Sequence, residues 1–442
     1  MDAAGLSRGE RIAVWIAGVV VALSRLPAIS RSLWDWDEAL FMLAVRDYDV
    51  VAYHPHPPGF PLFIGLAKLI PLDSFHALQL IAVASSMLVF PAMFFLAREL
   101  RATFFVAFAS SVLLAIFPNV WFFGGTAFSD VPSLVLVLFA CALLLHGRQS
   151  DRALIAGAIV LAIAAGFRPQ NLLIGFVPAI LALRARPRTA IIGAILGVVI
   201  LGASYGAAAH ASGGWDVYRA TLARHERYIR ETDSFLSSIR PWLVQVADDF
   251  FLRPFRAPLI NIVLVLLMLI GVVRRERGTA MIIAIFGPFL IFAWLYLDFH
   301  SASRFSIGYM PLFALLAAAG IPRRGQFITF GAVVALIVVW MIPVLRVVHD
   351  TDSPPVAAIA AIRAMPKSTI VYVDEALGPH AALLLADYEL RPIEEAVSGP
   401  AGVLLRERES RATGAQNFVR TRDRVAGVAR ARYFEVSITP KP

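Results

Sequence analysis

Long apolar runs alternate along the chain with short polar turns, and their length is that of a membrane rather than of a globular core. A helix needs ~20 largely apolar residues to cross about 30 Å of hydrocarbon. Runs that meet or approach this length lie at 12–28, 76–97, 103–123, 131–147, 153–167, 171–183, 189–209, 257–273, 279–297, 305–321 and 326–348. They predict eleven spanning helices, with the softest boundaries in 153–183. No signal sequence with a small-residue cleavage site stands out after the first run, so that run reads as a retained span.

One apolar segment breaks the pattern. Pro57–Leu72, "PPGFPLFIGLAKLIPL", carries four prolines, two glycines and Lys68. Counted as a span it would invert every later loop and move five arginine clusters across the membrane. A tilted or re-entrant helix in the outer interface is therefore expected, with an ordinary short span as the alternative.

Charge then sorts the loops. The clusters Arg8/Arg11, Arg98/Arg101, Arg148/Arg152, Arg184/Arg186/Arg188, Arg274/Arg275/Arg277 and Arg323/Arg324 are cytoplasmic by the positive-inside rule. That leaves 29–56, the turns at Ser129/Asp130 and Arg168–Asn171, the loop 210–256, the turn 298–304 and the tail outside. Trp215, Tyr218, Tyr228, Trp242, Phe250 and Phe251 suggest amphipathic surface helices in 210–256. Residues 1–348 form a membrane domain. From 349 to 442 the pattern changes to "STIVYVDEAL", "HAALLLADY", "AGVLLRE" and "RYFEVSI", a small α/β domain too short for more than a modest core.

Composition agrees. Of 442 residues 59% are hydrophobic and 16% charged, with mean hydropathy +0.72, the values of a polytopic membrane protein. A net charge of +9 would suit nucleic acid only on a basic face, and these arginines sit between apolar runs instead, so no nucleic-acid partner is expected. The single cysteine, Cys141, rules out an intrachain disulfide and a cysteine metal cluster.

The candidate chemistry lies at the outer ends of the runs. Asp37 and Glu38 follow the first span on a short helix read from Asp35 to Asp47, where a carboxylate can take a hydroxyl proton or simply cap the helix. Asp35-x-Asp37 also has the form of an acidic metal pair, a weak signal on its own. His54 and His56 can bind metal, donate to a phosphate, or serve as ordinary interfacial hydrogen-bonders. Asp130 in "FSDVP" is a turn former or a carboxylate facing a wet cavity, because in hydrocarbon it would cost ~2.5–3.5 kcal/mol. Arg168 and Arg304 stand at outer span ends without cytoplasmic company. Guanidiniums there suit a phosphate, or act as anchors; Asp298 and His300 are the expected neighbours of Arg304. All these residues fall on one side of the membrane, as for transfer from a phosphate-bearing donor to a hydroxyl.

In the same order along the chain, "DEALFMLAVRD", "HPPGFPLF", "TAFSDVPSLVLVLF" and "SRFSIGYMPLFALLAA" resemble the motifs of GT-C membrane glycosyltransferases. The likeness is to the group of protein O-mannosyltransferases and the lipid A aminoarabinose transferase. It covers most of the membrane region and implies an all-α GT-C-like domain with interfacial helices in the first outer loop. It further implies Asp37 as the catalytic base or acceptor-binding acid, Glu38 as its neighbour and Asp130 as the second acid. It implies that Arg168 and Arg304 hold the donor phosphate; His54, His56 and His300 join them as substrate-binding candidates by their place in the outer loops. His56 stands where lysine is common before the two prolines, Arg168-Pro replaces a Lys-containing turn, and Phe305 replaces a frequent tyrosine.

The expected activity is transfer of a sugar from a polyprenyl-phosphate donor to a lipid, glycan or protein hydroxyl on the outer face of the inner or plasma membrane, by inversion. No metal is obligatory, although a divalent ion can be accommodated. An outward site has no nucleotide sugar at hand, and no Gly-rich phosphate loop is present. A transporter or flippase of a lipid-linked sugar is the alternative, although transporters more often show repeats and broken helices at the midplane. A scaffold would leave the first-loop acids idle.

Overall fold

The computed structural model describes residues 6–233, 244, 247–275, 278–298, 301–429 and 434–441. Each apolar run is helical: Arg8–Leu23, the pair Ser74–Met87 and Val89–Glu99, Phe104–Ile116, Asp130–His146, Asp151–Phe167, Asn171–Ala185, Pro187–Ala211, Pro258–Arg274, Thr279–Tyr296, Met310–Gly320 and Gln326–Asp350. Five helical segments are individually long and apolar enough to cross a membrane, or six if the pair bent by 42° beside Leu88 is one span. The expectation of eleven spans therefore holds for where helices form, whereas length and apolarity qualify fewer of them. The run 103–123, for example, breaks at Phe117, because Pro118 opens a new helix, Pro118–Phe123, and proline has no N–H to continue the old one.

Pro57–Leu72 yields an eight-residue helix, Pro61–Lys68, only about 12 Å long at 1.5 Å per residue. It is too short to span, and it packs against the helices at 36–46, 74–87 and 151–167. Helices that begin near Asp130, Asn171 and Pro258 all finish beside arginine clusters, at Arg148, Arg184 and Arg274. One set of helix ends thus carries the acids, the other the basic turns.

The loop after residue 210 opens with the helix Trp215–Tyr228. Tyr218 Oη donates to the Pro58 carbonyl at 2.7 Å and packs with Val50, Ala208 and Ala209, so this helix clamps the first loop. Trp242 lies outside the described residues.

The tail holds the helix Pro354–Arg363 and five strands, β1 (Ile370–Val373), β2 (Glu389–Pro392), β3 (Gly402–Arg406), β4 (Gln416–Val419) and β5 (Glu435–Lys441). Their order is β2-β1-β3-β5-β4, parallel across β2-β1-β3 and antiparallel across β3-β5-β4. Ile359, Ile362, Val371, Leu405, Val436 and Ile438 form its core, and Trp36 of the first loop packs onto it.

Helices 258–274 and 310–320 approach through glycine. A methyl on Gly271 would overlap the Leu316 carbonyl, and one on Gly320 the Leu267 carbonyl. Small residues let helices close on one another where lipid supplies no hydrophobic drive. Gly271→Ala should therefore destabilise the protein by about 1–3 kcal/mol, read as a lower thermal midpoint in detergent; an unchanged midpoint would show that the backbone yields freely there.

Candidate active site

The first-loop helix, Trp36–Arg46, is built by its own N-terminus. Asp35 caps it, its Oδ1 accepting from the Asp37 amide at 3.0 Å, while Glu38 Oε2 reaches back to the Asp35 amide at 3.0 Å, a capping box. Glu38 does more. Fully buried, it also accepts from the amides of Trp34 at 2.5 Å and Ala127 at 2.8 Å, tying the turn that carries Asp37 to the turn that leads into Asp130. Burial pushes its carboxyl up to about 8 against the downward pull of those amides.

The turn before Asp130 is held equally closely. A methyl on Gly125 would overlap the Ala28 carbonyl, and Gln79 Nε2 donates to the carbonyls of Ser30 at 2.7 Å and Gly125 at 3.0 Å. Arg168 ends the helix Asp151–Phe167; its Nη2 donates to Asp130 Oδ2 at 2.7 Å and its Nε to Ser129 Oγ at 3.0 Å. Arg304 comes from the four-residue helix Ala302–Phe305, which Asn119 steadies through the Ser303 carbonyl at 2.9 Å.

Arg304 is the hub. Its Nη2 lies 2.5 Å from Asp37 Oδ2, its Nη1 3.7 Å from Asp35 Oδ1 and its Nε 3.9 Å from Asp130 Oδ2. The guanidinium lies over the rings of Phe128 at 4.9 Å and Phe305 at 4.6 Å. A narrow cleft of about 20 Å³ lies between Arg168, Arg304, Asp130 and Phe289, room for about one water, which needs ~10–15 Å³.

Asp37, Asp130, Arg168 and Arg304 therefore meet, and His56 borders them, its Nδ1 3.6 Å from Asp37 Oδ1. Burial lowers His56 to about 4, against the pull of Asp37. Glu38 adjoins the cluster in sequence but turns to backbone amides. His54 pairs its backbone with Asp49, and its buried Nδ1 has no hydrogen-bond partner among the described residues. His300 lies outside the described residues. Two neighbours escaped sequence reasoning: Asp35, weighed only as a cap or half of a metal pair, and His225 of the helix 215–228. The His225 ring sits 6.1 Å from that of His56, and burial lowers its pKa. Asp35 was findable from its spacing to Asp37; nothing local marks His225. Among the described residues no group of three or more His, Cys, Asp or Glu side chains is arranged to hold a metal ion.

No protein-family model matches the sequence, and no curated protein does. Solved structures do match. ArnT from Cupriavidus metallidurans bound to undecaprenyl phosphate superposes with a TM-score of 0.56 at 13% identity, over 98% of each chain. The arabinofuranosyltransferase AftD from Mycobacteria gives 0.54 at 16% identity, over 93% of this chain and 37% of that one. An Archaeoglobus fulgidus oligosaccharyltransferase gives 0.50 at 11%, over 86% and 64%. The chain has the GT-C fold. It is a multi-pass membrane protein, and in this GT-C chain the acids of the first and second site turns share one arginine.

Two measurements probe the site's construction. Glu38→Gln sets an amide NH₂ against a backbone N–H, leaving a buried donor unmet; the expected cost is about 1–3 kcal/mol, seen as a lower thermal midpoint, and an equal midpoint would mean the contact that is lost contributes nothing. His56 titrates near 6.5 when unfolded and about 4 when folded. The unfolded chain then binds the extra proton first, so stability is complete above 6.5 and falls as the pH drops toward 4. Over that window the native protein should lose more thermal stability than His56→Gln; parallel losses would contradict the assignment.

Proposed function

We propose that the chain is an inverting glycosyltransferase moving a sugar from a polyprenyl-phosphate-linked donor to a hydroxyl acceptor on the outer face of the inner or plasma membrane. The observation that carries this reading is the contact of Arg304 with both Asp37 and Asp130, an acid set and a cation set joined in one buried cluster. The undecaprenyl phosphate bound to ArnT supports a phosphate carried on a lipid, whose chain presents the sugar from the membrane.

In this reading the donor phosphate draws Arg304 away from Asp37, freeing the carboxylate. The acceptor oxygen then forms its bond to the anomeric carbon as the bond from that carbon to the phosphate oxygen breaks. The acceptor proton passes to Asp37, and the phosphate leaves with the bonding electrons. Arg304 and Arg168 receive the charge on the phosphate, so no metal is obligatory. Asp130 holds both guanidiniums in reach. His56, neutral above its lowered pKa, donates to the donor from the Asp37 side, with His54 and His300 in the same outer group. Glu38 is a positioning residue for the turn that bears Asp37. The tail, 349–442, forms a small α/β domain on the same face. Transport is less well supported, because the ionisable residues gather at one set of helix ends rather than at a midplane site.

Mass spectrometry of envelope glycolipids and glycoproteins, with and without the protein, should show loss of one glycosyl increment. With those substrates, Asp37→Asn should lower the turnover about 10²–10⁴-fold without altering membrane insertion; retained transfer would overturn the assignment. Arg304→Lys keeps the charge but loses the planar fork, and a loss of about 10–100-fold in kcat/KM for the donor is expected. Unchanged donor kinetics would remove Arg304 from phosphate binding.

A further inference from the structure

A second cavity, of about 580 Å³, lies at the helix ends remote from Asp37, between Leu100 and Arg101, Arg148, Arg275, and Gly278 and Thr279. The helix Asp130–His146 gives the separation. One end reaches the candidate active site and the other the cavity, about 24 Å away at 1.5 Å per residue, close to the ~30 Å depth of a bilayer's hydrocarbon. The two cavities belong to opposite membrane edges.

Three arginines from three separate turns line it, Arg101, Arg148 and Arg275. Among the described residues none of them has a carboxylate partner. Glu99, the carboxylate that also lines the cavity, is engaged by His146 Nδ1 at 3.1 Å. Arg101 and Arg275 occupy left-handed backbone, φ 61° and 47°, which arginine seldom adopts. Topology alone asks only that arginines be present at this edge. It does not ask for a hollow among them large enough for a ligand, a size typical of small-molecule sites.

The cavity is not a purely aqueous one. Val272 and Ile283 line it, and Leu269 and Val273, beside Val272 on the same helix and outside the lining, are exposed apolar residues of the kind lipid covers. The wall therefore runs continuously from the arginines onto the lipid-facing surface. A free inorganic anion would use the guanidiniums and leave that apolar wall uncovered, whereas a phospholipid satisfies both at once.

We propose that this cavity binds the headgroup of an anionic phospholipid, its phosphate held by Arg101, Arg148 and Arg275 and its acyl chains lying along Val272 and Ile283. The proposal is independent of glycosyl transfer at the other edge.

The test is lipid retention by the full-length protein, by native mass spectrometry and by titration with vesicles of phosphatidylglycerol or phosphatidylcholine. Phosphatidylglycerol should be retained in preference to phosphatidylcholine. Each arginine contributes about five-fold, so Arg101→Gln/Arg148→Gln/Arg275→Gln should weaken phosphatidylglycerol binding by about 100-fold. A control with the same charge change, Arg8→Gln/Arg11→Gln/Arg324→Gln, should stay near the native value. If the triple variant does not fold, Arg148→Gln alone should show the five-fold loss at a native thermal midpoint. Equal retention of the two lipids, or equal losses in variant and control, would overturn the proposal. Displacement of phosphatidylglycerol by an equimolar polyprenyl phosphate would also overturn it, assigning the cavity to that lipid instead.

Discussion

Arg304 is buried against three carboxylates, and its charge is what lets Asp35, Asp37 and Asp130 lie so close to one another. Asp35, Asp37 and Asp130 would repel one another across the cluster if the guanidinium were removed, and a buried charge left without a partner costs several kcal/mol. Arg304 enters from a turn more than 170 residues after Asp130, so the two acid-bearing turns and the late arginine turn must close together. Arg168 completes the closure by giving Asp130 a second cation at 2.7 Å. Electrostatics thus imposes on the helices an alignment at one end that hydrophobic packing alone would leave free to slide.

Within the cluster the parts are held by different means. The acids sit on turns fixed by backbone hydrogen bonds through Glu38, Gln79 and the close approach at Gly125. The guanidinium of Arg304 sits on a four-residue helix and is held by charge and by two aromatic faces. A rigid carboxylate facing an exchangeable cation suits a site in which an arriving anion replaces one partner of the cation without disturbing the acid.

Much of this was legible in the sequence, for physical reasons. Apolar run length marks helices because burial in lipid needs a continuous apolar surface, and the acids and arginines could be assigned to one side by counting helices from the arginine clusters. Asp35 and Glu38 spelled a capping box, although Glu38 was also read as chemistry; its bond to Ala127, 89 positions away, has no local signature. His225 is hidden for the same reason, since its approach to His56 depends on how helix 215–228 folds back over the first loop. In the tail, the strands at 370, 402 and 435 showed as β-branched runs. The two edge strands, Glu389–Pro392 and Gln416–Val419, are short and largely exposed, as edges usually are, and so carry little apolar pattern to read.

Trp36 stands one residue before Asp37 and packs against the apolar core of the five-stranded tail, while Arg46 at the other end of the same helix donates to the Leu383 carbonyl at 3.3 Å. The tail is therefore keyed to the first-loop helix at both ends. A tail exchanged with that of another GT-C protein would bring a hollow shaped for a different side chain. Grafting a foreign tail onto this chain would consequently mean recutting the first loop as well as the end of the last helix.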